Sequence, residues 1–140
     1  MTAIREIVRA EPSDAPLLTD LAFRSKLYWG YPKRLLKPWR PIIEMTPELI
    51  QNFSHFKAID AQGNCLACYG LTGEGDHRIL RGFWVAPEAI GKGIGRKLYE
   101  HMIGTAKQEG AHTVEWDSDP YAAPFYPVMG QNMWVTTSIF

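Results

Sequence analysis

Apolar and polar positions along this chain repeat in two different rhythms, and the change of rhythm marks out its elements. Ile4 to Ala10 (IREIVRA) reads as a first strand. Pro12-Ser13-Asp14 then breaks the chain and starts a helix, with Ser13 or Asp14 placed to accept an orphan helix N–H. Through to Tyr28, the spacing sets Leu17, Leu21 and Tyr28 on one helical face. Gly30-Tyr31-Pro32 ends that helix. The basic stretch PKRLLKPWRP, broken by Pro38 and Pro41, reads as short helix or irregular chain. Thr46-Pro47-Glu48 is a helix start, with Pro47 at the first helical position.

The period then changes. HFKAIDA, a turn at Gln62-Gly63-Asn64, and CLACYGLT read as a β-hairpin. After a second turn at Gly73-Glu74-Gly75-Asp76, RILRGFWVAP follows as the next strand and stops at Pro87. These three strands predict an antiparallel meander. Gly91 to Gly95 lead into a helix with Ile94, Leu98, Met102 and Ala106 on one face and Gly110 just past its end. His112 to Trp116 reads as a strand, Tyr121 to Met129 as a short helix and Met133 to Ile139 as a last strand. No internal repeat is visible.

Length and charge narrow the picture. At 140 residues the chain is expected to form a single domain over 1–140. Hydrophobic residues at 46% and charged residues at 21% exclude wholesale disorder. Lys+Arg equals Asp+Glu at 15 each, which argues against nucleic acid as a partner held by charge. No apolar run approaches the roughly 20 residues that span a bilayer, so no membrane partner is expected. The start, MTAIREIVRAEPSD, has no apolar signal-peptide core, and the expected location is the cytoplasm. Cys65 and Cys68 form a lone CxxC inside a strand, where positions three apart point to opposite faces, so no metal site is expected.

The segment Ile90-Gly91-Lys92-Gly93-Ile94-Gly95-Arg96-Lys97 carries the most chemistry. A strand, a Gly-rich turn and a helix start make an anion site: backbone N–H groups converge, and the helix dipole favours negative charge. A phosphate-binding Walker loop needs Gly-Lys followed by Ser or Thr, which is missing here. A dinucleotide fingerprint needs GxGxxG in a first βα unit, whereas this is GxGxG after a meander. The plain alternative is a tight turn packed under a helix.

WVAPEAIGKGIGRKLYEHMIGTAKQEG, followed by a strand and YAAPFYPVMG, resembles the GNAT superfamily of acyl-CoA-dependent N-acyltransferases. The family's Q/R-x-x-G-x-G/A signature falls on Ile90 to Gly95, and its second block on Ala122, Phe125, Tyr126 and Gly130. The element order β, α, α, β, β, β, α, β, α, β matches as well. The resemblance implies an α/β fold with a mixed, mainly antiparallel central sheet and helices on both faces. It implies acetyl-CoA as cosubstrate, its pantetheine arm held by the backbone of Phe83, Trp84 and Val85 as a substitute strand would be. It implies the pyrophosphate on the N–H groups of Gly91, Lys92, Gly93, Ile94, Gly95 and Arg96. It assigns Tyr126 as the acid that protonates the departing thiolate; the plain alternative is an aromatic core residue.

The chain departs from the family pattern in four places. Ile90 stands where the signature has Gln or Arg, and Asp119 where the family has Asn. Gly130-Gln131 replaces the usual Gly-Phe, with room afterwards for about one strand rather than two. The fourth strand carries Arg81-Gly82-Phe83-Trp84 where members commonly place a carboxylate as general base. That role is open among Glu74, His77, Glu115 and Asp117, each of which also reads as a solvated surface group. Tyr28, Trp29, Tyr31 and Trp39, with Lys33, Arg34, Lys37 and Arg40, read either as packing and a solvated face or as the lip of an acceptor pocket.

The expected function is transfer of acetyl to a primary amine, small-molecule or peptide, by direct attack in a ternary complex. The competing readings are a CoA-binding module without efficient catalysis and, less well supported, a dinucleotide-binding protein. The apolar end, with Met133, Trp134, Val135 and Ile139, predicts a homodimer that covers the sheet edge.

Overall fold

The computed structural model describes residues 3–117 and 134–138. Among them, six strands form one sheet in chain order: β1 (Glu6–Arg9), β2 (Ser54–Ile59), β3 (Cys65–Glu74), β4 (His77–Val85), β5 (Thr113–Asp117) and β6 (Trp134–Ser138). Only β4 and β5 pair in parallel; the other four neighbouring pairs are antiparallel. The expected meander is therefore present, and one further strand follows β5.

Short polar turns fix the register. Asp60 accepts from the N–H groups of Gln62 and Asn64, both at 2.9 Å, which closes the β2–β3 hairpin. Arg78, on β4, donates to Glu109 at 2.9 Å, and Ser54 at the start of β2 donates to the same carboxylate. One acid thus ties two strands to the end of a helix.

The helices are α1 (Ala15–Tyr28), α2 (Lys33–Ile43), α3 (Pro47–Asn52) and α4 (Ile94–Gln108). They cover both faces. Tyr69 on β3 donates to Thr105 of α4 at 2.9 Å. Its neighbour Cys68 points to the other face. Cys68 is paired with Trp84, over whose ring lies the Lys26 ammonium of α1. None of the helices among the described residues is long and apolar enough to cross a membrane.

On α4 the expected stripe forms the core: Ile94, Leu98, Met102 and Ala106 are all buried. Gly110 ends the helix with φ +86°, and Ala111 N–H donates to Ala106 O at 2.9 Å while Gly110 N–H donates to Lys107 O at 3.0 Å. This is the paired-bond ending that a left-handed glycine permits.

On α1 the sequence expectation needs correction. Leu17 is 41% and Tyr28 54% exposed, whereas Leu18, Leu21, Ala22 and Ser25 are buried. The buried face is rotated away from Leu17 and Tyr28 and leaves Leu21 at its border. It is hidden from apolar counting because it includes Thr19, Ser25 and Lys26. Thr19 is satisfied there by Met45, accepting from its N–H at 2.9 Å and donating to its C=O at 3.2 Å.

Two further expectations change. Asp14 does not cap α1: its carboxylate reaches back to the Glu11 N–H at 2.9 Å and takes Lys57 at 3.0 Å, so the chain makes a 3-10 turn at Pro12–Asp14 first. The basic stretch is a full helix of 11 residues, α2, that contains both Pro38 and Pro41. Each proline withholds one N–H from the preceding turn. Thr46 caps α3 as read from the sequence, accepting from Leu49 N–H at 3.2 Å.

Candidate active site

The parallel pair β4–β5 is short. Its rungs are His77 with Thr113, Arg78 with Val114 and Ile79 with Glu115. Both strands run on, β4 to Val85 and β5 to Asp117, but they no longer pair with each other. From Leu80 outward, the β4 edge that faces β5 has no ladder partner among the described residues. Where a ladder stops, a strand edge can take an extended segment as a substitute strand.

A bulge shapes that edge. Cys68 pairs with Trp84 and Gly70 with Arg81, so a single β3 residue, Tyr69, faces two on β4, Gly82 and Phe83. Gly82 has φ +62°, a conformation that L side chains avoid. Cys68 Sγ donates to the Gly82 carbonyl at 3.3 Å. Burial pushes the Cys68 thiol well above its ordinary range, so it stays a donor.

Beyond β4 the chain makes a 3-10 turn at Pro87–Ala89 and enters α4 through Gly91, φ +83°, and Gly93, φ +77°. Gly93 is the N-cap of α4 and no side chain caps the helix. Lys97 N–H, bonded to Gly93 O at 3.2 Å, closes the first turn; the N–H groups before it have no acceptor within the helix. A Cβ at Gly91 or Gly93 would meet nothing within 4 Å, so the space in front of these N–H groups is open. Lys92, Arg96 and Lys97 are exposed around it and form no ion pair among the described residues. Open backbone, a helix N-terminus and three cations fit a pyrophosphate.

The two faces of the parted strands differ. On the α4 side Leu80, Leu98, Val114 and Trp116 are buried and close the gap. On the α1 side stand the exposed Arg81, the half-buried Trp84 and Glu115 with 38% of its side chain exposed. An incoming group therefore has its approach from the α1 side.

The four carboxylate and imidazole candidates separate. Glu74 and His77 face each other across the β3–β4 turn, at the paired end of β4, away from the parting. His77 Nδ1 is 2.6 Å from Thr113 Oγ1, and its Nε2 is 3.6 Å from Glu115. Glu115 sits on the last rung before the strands part. The Asp117 side chain lies outside the described residues, as do Asp119, Ala122, Phe125, Tyr126 and Gly130.

Of the aromatic and basic cluster read from the sequence, the Trp39 side chain lies outside the described residues, and the described members take different settings. Tyr31 is buried under Lys26, whose ammonium is 4.2 Å from its ring centre. Tyr28 is exposed and meets Trp29 edge to face at 5.2 Å. Arg40 lies over Phe23 and pairs with Glu44 at 3.4 Å, in a cleft of about 630 Å³ between α1 and the α2–α3 link. None of the residues assigned to acetyl-CoA lines that cleft.

Two residues at this site escaped the sequence reading. Gly82 carried a usable signal, since a lone glycine inside a strand pattern marks a bulge. Lys26 carried none: a lysine in the last turn of an amphipathic helix ordinarily reads as solvated.

The sequence profile of the acetyltransferase (GNAT) family matches residues 18–130. No curated protein matches the chain significantly. Solved structures with the same fold include the PaiA N-acetyltransferase of Thermoplasma acidophilum in complex with coenzyme A, at 15% identity and TM-score 0.76 over 96% of this chain and 97% of that one. A GNAT-family acetyltransferase of Staphylococcus aureus Mu50 aligns at 20% identity and TM-score 0.70, covering 91% of this chain and 84% of that one. One from Brucella melitensis, in complex with acetyl-CoA, aligns at 17% identity and TM-score 0.66 over 95% and 86%. With 18–130 matched by the family profile, the chain belongs to the acetyltransferase (GNAT) family.

Proposed function

We propose that this protein transfers an acetyl group from acetyl-CoA to a primary amine, of a small molecule or a peptide, by direct attack in a ternary complex. The observation that carries this reading is the sequence of sites along one stretch of chain. From Leu80 to Val85, β4 makes no ladder rung with β5 among the described residues, and a run of N–H groups at the start of α4 follows at Gly91 to Arg96. Structures of the same fold solved with coenzyme A and acetyl-CoA support it.

In this reading the backbone of Phe83, Trp84 and Val85 pairs with the pantetheine arm, and the Gly91–Arg96 N–H groups hold the pyrophosphate. Acetyl-CoA supplies the activated acyl group. Glu115, on the last paired rung and open to the α1 side, is placed to take the amine's proton, directly or through water. Tyr126 donates a proton to the leaving thiolate. Tyr126→Phe keeps the ring and removes that proton, and should lower kcat about 10–100-fold with acetyl-CoA affinity nearly intact. Unchanged turnover assigns the acid elsewhere.

A second reading, a CoA-binding module without efficient catalysis, is favoured by the absence of a carboxylate on β4 at Arg81 to Trp84. Thiol release from acetyl-CoA over a panel of amines separates the two. Release above the hydrolysis background with at least one amine supports the enzyme; acetyl-CoA binding with no release across the panel supports the module. We also propose a homodimer through the β6 edge, since β6 ends the strand order with β5 as its one neighbour among the described residues. Light scattering that gives a strict monomer at low micromolar concentration refutes the dimer.

A further inference from the structure

The reaction requires an amine on the α1 side of the parted strands, and the protein already holds one of its own there. Lys26, in the last turn of α1, is only 9% exposed. Its Nζ lies 4.2 Å from the ring centre of Tyr31 and 4.5 Å from that of Trp84. Trp84 follows the β4 bulge directly, pairs with Cys68 of β3 and lies beyond the last rung with β5.

The placement is built by the backbone. Gly30, with φ +93°, ends α1 in the same way that Gly110 ends α4. Gly30 N–H donates to Leu27 O at 3.2 Å, and Tyr31 N–H donates to Lys26 O at 3.1 Å. That pair of bonds folds the residue two beyond the cap over the last turn, which sets the Tyr31 ring against Lys26. Arg24, one turn short of the end, bonds Glu88 at 3.1 Å and ties α1 to the turn that leads into the Gly-rich segment. The lysine arm is thus anchored by its stem and ring contacts, beside the strand and not in solvent.

We propose that Lys26 is an acetyl acceptor of this protein, modified in cis by acetyl-CoA bound along β4; this rests on the acetyl-CoA reading above. The Lys26 ammonium loses one proton to solvent, and its Nζ lone pair forms the new C–N bond to the thioester carbonyl carbon. The C–S bond breaks, its electron pair leaves on the CoA sulfur, and that sulfur takes the second Nζ proton. The products are Nζ-acetyl-lysine and CoA thiol, with no other reactant. The two aromatic faces hold the Lys26 ammonium beside β4. Once acetylated, Lys26 carries no charge for the two rings to attract.

The test is peptide mass mapping of the whole protein after incubation with acetyl-CoA and no added amine, alongside calorimetric titration of acetyl-CoA. The expected result is one acetyl per chain at Lys26, with occupancy at least about tenfold above exposed lysines such as Lys33 and Lys37, as proximity demands. The rate constant should not change on dilution of the protein. The Lys26→Arg variant, which keeps the cation, should bind acetyl-CoA and take no label at position 26. Lys26 left unmodified in wild-type protein that binds acetyl-CoA overturns the proposal and leaves the acetyl-CoA reading standing. A rate that scales with protein concentration overturns the step in cis. Absence of acetyl-CoA binding overturns both.

Discussion

On one face of the sheet α4 lays Ile94, Leu98, Met102 and Ala106 against Leu80, Val114 and Trp116, all buried. On the other face α1 buries Leu18 and Ala22 together with Thr19, Ser25 and Lys26. The first is an apolar stripe at helical spacing, with the Tyr69 and Thr105 hydroxyls bonded to each other beside it. The second carries hydroxyls, an ammonium and aromatic faces, and it opens onto Arg81, Trp84 and Glu115. Beyond their last rung, β4 and β5 part between these two faces. Acyl transfer to an amine needs that asymmetry: exclusion of water strengthens the hydrogen bonds to a developing oxyanion, while the acceptor still needs an entrance.

The contrast can be broken first by truncation. Met102→Ala removes a fully buried side chain on the α4 face and should cost about 2–5 kcal/mol of stability, measured by urea unfolding. Leu17→Ala, 41% exposed on α1, should change stability by no more than about 0.5 kcal/mol. Equal losses at the two positions would mean that α1 is packed as the apolar spacing alone implied.

Acid should expose the polar character of the α1 side next. His55 pairs with Gly70, whose neighbour Tyr69 points to α4, so His55 lies on the opposite face. It is 2% exposed, and burial, together with the Arg9 charge, holds its imidazole below the ordinary value of 6.5. A lowered native pKa means that the unfolded chain binds the proton first. This contribution to stability is therefore complete above pH 6.5 and is lost as pH falls from there through the lowered native value. In thermal melts across that range, His55→Asn should flatten the acid slope relative to wild type. An identical slope in the variant would place the titrating group elsewhere, His101 being the other imidazole held low by burial.

The smallest effect belongs to the exposed cations at the nest. Lys92→Ala should weaken acetyl-CoA binding by about 1 kcal/mol, because the backbone N–H groups hold the geometry and an exposed charge is screened. Titration at low and at raised salt checks this, with the difference shrinking as salt increases.

The legibility of the sequence follows the same division. The α4 stripe, the Gly-rich entry, the hairpin around Gly63 and the β2–β4 meander are readable because apolar periodicity and glycine placement report local geometry directly. The buried α1 face does not look apolar in the sequence because it holds Thr19, bonded to Met45, together with Ser25, and Lys26 lying on two rings. Asp14 does not cap α1 because its carboxylate serves Glu11 N–H and Lys57 of β2, more than forty residues away, which local spacing cannot name. The parting of β4 from β5 has no sequence signal of its own; only Gly82 hinted at the bulge beside it.

We propose that the nest at Gly91 to Arg96 and β4 beyond its last rung with β5 bind acetyl-CoA. Calorimetric titration of the wild-type protein and of Gly93→Val tests it most directly. At φ +77° a β-branched residue is strained, and its side chain would fill the open space in front of the N–H groups. The account predicts saturable binding of acetyl-CoA and CoA to wild type, none of NAD, and loss of acetyl-CoA binding in a Gly93→Val protein whose circular dichroism spectrum is native. Unchanged acetyl-CoA affinity in that folded variant would contradict it.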